Sequence, residues 1–299
     1  MIPRPLRSVL YVPASNARAM EKAARLPVDA IILDLEDAVA PEAKASARDA
    51  LAGELGAADH GGRPRILRVN GAGTPWHEDD LALAARLRPD AVLLPKPDGG
   101  ADVEAAAARA PGLPIWAMIE TPRGALAAEG IARAVAATGA GTATGAATGG
   151  LGGLVMGTND LAKELGARHV PGRAPMMAAL GLCVLAARAH GVAALDGVHN
   201  ALRDEAGLVA ECEQARDLGF DGKTLIHPAQ IEAANRIFAP RPEEVEEARR
   251  QIEAFEAAQA EGKGVAVLDG RLVEALHVET ARATLARADA IARASETAA

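Results

Sequence analysis

The stretch AIILDLED, Ala30–Asp37, decides the fold. It opens as an apolar run without a polar break and ends on Asp34, Glu36 and Asp37. A strand with one face in water alternates apolar and polar residues, whereas a strand buried on both faces is apolar nearly throughout. The same pattern recurs in both directions along the chain. Ser8–Val12, Arg65–Val69, Ala91–Leu94, Ile115–Ile119, Gly153–Met156, Val192–Asp196 and Lys223–Ile226 join Ala30–Leu35 to make eight strand candidates. Helical, Ala-rich stretches separate them: Asn16–Ala24, Lys44–Ala52, Leu81–Leu87, Ala101–Arg109, Ala125–Ala137, Met177–His190 and Ala201–Leu218. Strands that alternate with helices specify βα units and a parallel sheet. Eight such units predict a closed α/β fold, the (β/α)8 TIM barrel. An open doubly wound sheet is the alternative, but no G-x-G-x-x-G follows any strand.

A chain of 299 residues with 49% hydrophobic content has ample material for one barrel core,. Its net charge is −8 and its aromatic content 2%. Nucleic-acid binding wants basic patches and stacking rings, so that partner class is excluded. No apolar run reaches the roughly 18 residues that span a bilayer. Met1–Leu6 leads at once into a strand, so no signal peptide is expected, and the expectation is a cytoplasmic protein. Cys183 and Cys212 fall in apolar helical contexts and are expected to be buried free thiols,.

Two regions depart from the rhythm. Thr138–Gly153 reads TGAGTATGAATGGLGG, a low-complexity stretch expected to form a mobile surface loop,. After the eighth strand come Ala229–Phe238 and a strong helix at Pro242–Ala258, followed by a hinge at Glu261–Gly264. A short apolar run, Val265–Leu268, then leads through Asp269 and Gly270 into a last helix at Glu274–Ala294. The expected division is a barrel over 1–240 and a C-terminal helical lid or oligomerisation segment over 241–299.

The strand ends carry the chemistry. Glu36, Asp37, Arg68, Lys96, Glu120 and Asp160 all fall at C-terminal strand ends, which a barrel gathers on its catalytic face,. Carboxylates collected at one mouth repel one another, and a divalent cation resolves the conflict. All-oxygen ligands favour Mg²⁺, with Mn²⁺ as a substitute, over Zn²⁺. A salt-bridge network with Arg7, Arg68 and Lys96 is the competing explanation. The planar fork of Arg68 suits a substrate carboxylate, although Glu36 or Asp37 would also satisfy it. His227, ahead of Pro228, reads as a structural hydrogen-bonder rather than a catalyst. Gly124, in MIETPRG, suits a tight turn that lets a loop approach a ligand closely.

Taken together, RSVLYVPASN (Arg7–Asn16), DLEDAV (Asp34–Val39), RVN (Arg68–Asn70), LPK (Leu94–Lys96), MIETPRG (Met118–Gly124), GTNDL (Gly157–Leu161) and GFDGKTLIHPAQI (Gly219–Ile231) resemble the citrate lyase β-subunit-like CoA-ester lyases. These include malyl-CoA and citramalyl-CoA lyases and belong to the HpcH/HpaI aldolase superfamily. The resemblance covers nearly the whole chain in order. It implies a Mg²⁺-dependent carbon–carbon lyase that cleaves or forms a 3-hydroxyacyl-CoA thioester through an enolate. It also implies Glu120 and Asp160 as metal ligands, Arg68 for the substrate carboxylate, and Asp37 with Glu36 holding the metal's waters. Arg7 and Lys96 would line the pocket. Arg18, Lys22 and Lys44 are candidates for the CoA phosphates. Family members form homo-oligomers, trimers or hexamers, in which the C-terminal segment of one subunit covers the next subunit's site and supplies an acid/base aspartate.

This sequence departs from that pattern in two places. The acid/base position holds Glu274, with Asp269 a second candidate, and the Thr138–Gly153 stretch lengthens the interval between Glu120 and Asp160. The changed acid leaves open a changed substrate, a slow enzyme or a different reaction, and three rival readings stand beside the lyase. One is an aldolase on free 2-keto acids, the second a citrate lyase β-type subunit that needs partner subunits, and the third a thioester hydrolase.

Overall fold

The computed structural model describes residues 5–57, 62–139 and 152–297. All eight apolar runs are strands: β1 (Ser8–Pro13), β2 (Ala30–Asp34), β3 (Arg65–Arg68), β4 (Ala91–Leu94), β5 (Ile115–Ile119), β6 (Gly153–Met156), β7 (Ala193–Asp196) and β8 (Gly222–Leu225). Each pairs in parallel with its neighbours in chain order, and β8 closes on β1, so the sheet is the expected barrel. The helices of this unit are α1 (Ala17–Ala23), α2 (Lys44–Ala57), α3 (His77–Leu87), α4 (Gly100–Arg109), α5 (Pro122–Leu126), α6 (Ala128–Gly139), α7 (Thr158–Leu165), α8 (Met177–His190), α9 (Glu205–Leu218) and α10 (Ile231–Phe238). The single helix expected over Ala125–Ala137 is thus two, α5 and α6. The expected loop over 138–153 falls mainly on residues 140–151, which lie outside the described residues.

The period-two geometry of the strands sorts their side chains into two cores. Val9, Ala30, Ile32, Ile66, Ala91, Leu93, Trp116, Met118, Val155 and Leu195 fill the barrel interior. Leu10, Ile31, Leu33, Leu67, Val92, Ala117 and Leu154 face the helices instead. Trp116 is the largest interior side chain, and Gly153 beside it has no room for a Cβ, which would sit 3.0 Å from the indole ring. Cys183 and Cys212 are buried free thiols, as expected. No helix among the described residues is long and apolar enough to cross a membrane.

The chain divides into two compact units, Leu6–Phe238 and a second that contains Ala239–Ala299. The second unit is built from α11 (Pro242–Ala260), a hairpin of β9 (Ala266–Leu268) and β10 (Arg271–Val273), and α12 (Ala275–Thr297). The expectation of one short apolar run before the last helix missed this hairpin. Its turn is Asp269-Gly270, with φ of 50° and 78°. Asp-Gly with both residues at positive φ is the favoured two-residue hairpin turn. Phe255, Ala266, Val273 and Val278 form the small core of this unit.

Candidate active site

β2 and β3 set the first half of the site. Their register places Asp34 directly beside Arg68, and both are interior positions at the C-terminal end of the barrel. Asp34 accepts from Arg68 Nε at 2.7 Å and Nη2 at 2.6 Å, a bidentate pair,. The same carboxylate accepts from the backbone N–H of Glu36 at 2.8 Å and of Ala38 at 3.2 Å. Asp34 therefore holds the guanidinium and the loop that carries Glu36 and Asp37 in one fixed relation. The Arg68 guanidinium stacks over the Tyr11 ring at 4.8 Å,. Its remaining Nη1 lies 2.9 Å from Glu36 Oε2, a charge contact that lacks hydrogen-bond alignment. Asp37 stands farther off, at 3.9 Å from Nη1, and its side chain is 63% exposed.

β4, β5 and β6 set the second half. Glu120 follows β5 and is buried, with one oxygen accepting from the Lys96 backbone N–H at 3.0 Å. Its other oxygen, Oε2, is buried without a partner. Gly157 leaves the space for it, since a Cβ there would collide with Glu120 Cβ and Oε2. Asp160 lies in the first turn of α7. Lys96 has φ +50°, a left-handed conformation that costs a non-glycine residue about 1–3 kcal/mol,. Its ammonium sits 3.5 Å from Glu36, 3.9 Å from Glu120 and 3.4 Å from Asp160.

Burial works hardest on these acids. It pushes Glu36 up to about 7, with Arg68 pulling it down and Asp37 pushing it up. Glu120 rises to about 8, through burial first and the neighbouring Glu36 second, against Lys96. Burial opposes the Lys96 charge, but Glu120, Glu36 and Asp160 outweigh it and raise its pKa. The mouth is short of positive charge, and Arg68 and Lys96 are the cations it has gathered.

Among the described residues no three His, Cys, Asp or Glu side chains come together as a complete metal cage. A hard divalent cation needs none, because Mg²⁺ keeps several waters and is commonly held by one or two carboxylates. The orphaned Glu120 Oε2 and the all-oxygen donor set fit such an ion,.

The structure brings Glu36, Arg68, Lys96, Glu120 and Asp160 together, with Asp37 at the rim. It removes others from the expected set. Arg7 precedes β1 and binds Asp29 through its backbone N–H at 2.7 Å, Nε at 2.9 Å and Nη2 at 2.8 Å, at the opposite end of the barrel. It does not line the pocket. Lys44 is buried and spends its ammonium on Leu35 O, Glu36 O and Asn70 Oδ1 at 2.6–2.7 Å. It clamps the loop after β2 and is not available to a phosphate. Arg18 and Lys22 lie exposed on α1. Gly124 sits within α5, where a Cβ would lie 2.8 Å from the Pro97 carbonyl oxygen. His227 accepts from the Ala229 N–H at 3.2 Å. Glu274 lies in the second unit, partly buried between β10 and α12, where its backbone N–H donates to His277 Nδ1 at 3.0 Å. Asp269 pairs with Arg250 at 2.8 Å. Asp34 and Tyr11, which hold Arg68, were missed, and the strand register was the signal that would have found Asp34.

Residues 7–228 match the HpcH/HpaI aldolase/citrate lyase family. The chain belongs to this family. It is 58% identical over 288 residues to a (3S)-malyl-CoA thioesterase of Cereibacter sphaeroides, covering 96% of each chain. It is 35% identical over 297 residues to the citrate lyase subunit beta of Escherichia coli, covering 96% of this chain and 94% of that one. Among solved structures, the protein CitE from Mycobacterium tuberculosis in complex with magnesium, acetoacetate and coenzyme A superposes with a TM-score of 0.77 at 32% identity. That match covers 96% of this chain and 98% of the other. The family resemblance and the barrel expected from the sequence both stand.

Proposed function

We propose that the protein is a Mg²⁺-dependent CoA-thioester hydrolase that acts on a malyl-CoA-type 3-hydroxyacyl thioester and releases the free hydroxy acid and CoA. The observation that carries this reading is 58% identity across 96% of both chains to a protein named (3S)-malyl-CoA thioesterase. The geometry supports it at the level of charge. Glu120 and Asp160 would hold the ion, which supplies Lewis-acid polarisation of a substrate oxygen when bound.

The chain's own residues do the rest. Arg68, locked by Asp34 and Tyr11, offers Nη1 to the substrate's free carboxylate and so orients the acyl group,. Glu36, beside Lys96 and with its Oε2 free of hydrogen bonds, is placed to take a proton from water,. The proton balance is closed when the CoA thiolate leaves and is protonated, with one water consumed for each thioester split.

A second reading, carbon–carbon cleavage, is favoured by the 35% identity to a citrate lyase subunit beta and by the CitE complex with acetoacetate and coenzyme A. Products separate the two. Hydrolysis of malyl-CoA with Mg²⁺ yields malate and a free thiol. Cleavage yields glyoxylate and acetyl-CoA, with the thioester intact. A thiol-reactive dye and a keto-acid assay run on the same sample decide between them, and release of glyoxylate without thiol would overturn the hydrolase reading.

The second unit exposes Val267 (70%), Leu272 (52%) and Leu276 (59%), apolar side chains close in sequence to Glu274. This supports a homo-oligomer in which another copy covers them. Sedimentation of Leu272→Glu against the wild type tests it, and an unchanged particle size would overturn it.

A further inference from the structure

Lys96 touches the site twice, and the two contacts have different character. The backbone contact is fixed. Pro95 and Pro97 flank the residue, its φ is +50°, and its N–H donates to Glu120 Oε1 at 3.0 Å. The side-chain contact is not fixed in that way. The ammonium lies 3.4–3.9 Å from oxygens of Glu36, Glu120 and Asp160, and no hydrogen bond locks it to any of them. The Lys96 side chain is 35% exposed, whereas that of Glu120 is fully buried. It has a path to solvent that Glu120 and Glu36 lack.

We propose that Lys96 is a built-in counter-cation that occupies the cation position of the metal-free site and must withdraw before a divalent ion can enter. The inference rests on the reading of Glu120 and Asp160 as the metal ligands. An ammonium is a compact point charge on a flexible stem, so it can neutralise the cluster without covalent or bidentate commitment. A divalent ion attracts the same oxygens with twice the charge and displaces it. The backbone N–H keeps its hold on Glu120 while the side chain leaves. Glu36, 3.5 Å away, remains the ammonium's partner after Glu120 and Asp160 turn to the ion. Lys96 thereby weakens metal binding and offsets the repulsion among the carboxylates.

The test is titration of the metal-stripped full-length protein with Mn²⁺, reading the free ion by electron paramagnetic resonance. Lys96→Gln should bind Mn²⁺ about tenfold or more tighter than the wild type, because the competitor is gone. Glu120→Gln should lose binding. If Glu120→Gln binds as the wild type does, the ligand assignment falls and the proposal with it. If Glu120→Gln loses binding and Lys96→Gln matches or trails the wild type, the counter-cation role alone is overturned. A measurement on the wild type covers the case in which Lys96→Gln does not fold. Acylation of the Lys96 amine by an amine-reactive ester, quantified by peptide mass spectrometry, should accelerate when saturating Mg²⁺ is added. No change, or slower labelling, overturns the proposal.

Discussion

Two walls of the barrel bury charged networks, and they are balanced differently. Where β7 and β8 face α9, Asp196 is fully buried and accepts from Arg173 Nη1 at 2.7 and 2.8 Å and from Lys223 Nζ at 2.7 Å. Lys223 also reaches Glu211 Oε2 at 3.1 Å, and the other Glu211 oxygen meets His199 Nδ1 at 3.1 Å. Two acids face two permanent cations there, every carboxylate oxygen has a partner, and the one orphan is His199 Nε2. At the mouth, Asp34, Glu36, Glu120 and Asp160 share Arg68 and Lys96, and two buried oxygens, Glu36 Oε2 and Glu120 Oε2, are left over. Each wall also carries a left-handed cationic residue, Arg173 at φ 52° and Lys96 at φ 50°. Arg173 offsets its strain with a buried ion pair. Lys96 holds its strain beside unsatisfied acids. A balanced buried network fastens helices to strands, whereas an unbalanced one is destabilising until something else supplies the missing charge.

The comparison breaks most sharply at its two buried extremes. Glu120→Gln should cut thioester turnover by about 10²–10³-fold, as removal of a key electrostatic group does. Above about pH 8 the same change should raise the melting temperature of the metal-free protein, since there it deletes a buried charge without a full set of partners. Lys223→Met should do the reverse. It takes one of two cations from Asp196 and leaves Glu211 Oε2 without its partner, and should destabilise the fold by about 3–5 kcal/mol in denaturant titration,, with turnover per folded molecule unchanged. If Glu120→Gln instead destabilised the metal-free protein as Lys223→Met does, the distinction between the walls would be lost.

Asp34→Asn tests the joint between stability and function within the mouth. Asn keeps the shape but not the charge, so Arg68 would turn toward Glu36. The expected effect is a fall of about 100-fold in kcat/KM, the scale of a roughly ångström-sized misplacement of a positioning group. It should appear mainly in KM for substrates that carry the free carboxylate. An equal loss with a thioester lacking that carboxylate would remove Arg68 from substrate recognition.

How much of this could be read from the sequence follows from the range of the interactions involved. The strands are local, so Ile115–Ile119 and Ala91–Leu94 fall where their apolar runs do. The gathering of Glu36, Arg68, Lys96, Glu120 and Asp160 was legible because a closed barrel aligns all its strand ends. Arg7 and Lys44 were misplaced for the same reason in reverse. Arg7 stands before its strand rather than after it, and nothing local to Lys44 shows that Leu35 and Asn70 converge on it from two other segments. The Asp196–Lys223 network was invisible, since it depends on Glu211 and Arg173 arriving from separate turns. The β9–β10 hairpin was legible in Asp269-Gly270, but the neighbouring helical signals masked it.

The last expected effect is in pH, and it is read from stability rather than activity. In the folded, metal-free protein Glu36 stands near 7 and Glu120 near 8, mainly through burial, against an ordinary carboxyl value of 4.5. Between 4.5 and those values the folded chain holds protons that the unfolded chain has released. Stability therefore falls as pH rises through that window, and it is highest, for these groups, below it. The melting temperature in the presence of a chelator should drop between about pH 4.5 and about pH 8,. Glu120→Gln should flatten that slope by removing one of the two groups, and Lys223→Met, on the other wall, should keep it. Saturating Mg²⁺ should flatten it in the wild type, because an ion bound only by the folded state stabilises the charged carboxylates that burial opposes. Parallel slopes in the wild type and Glu120→Gln would place the acid strain of the mouth somewhere other than Glu120.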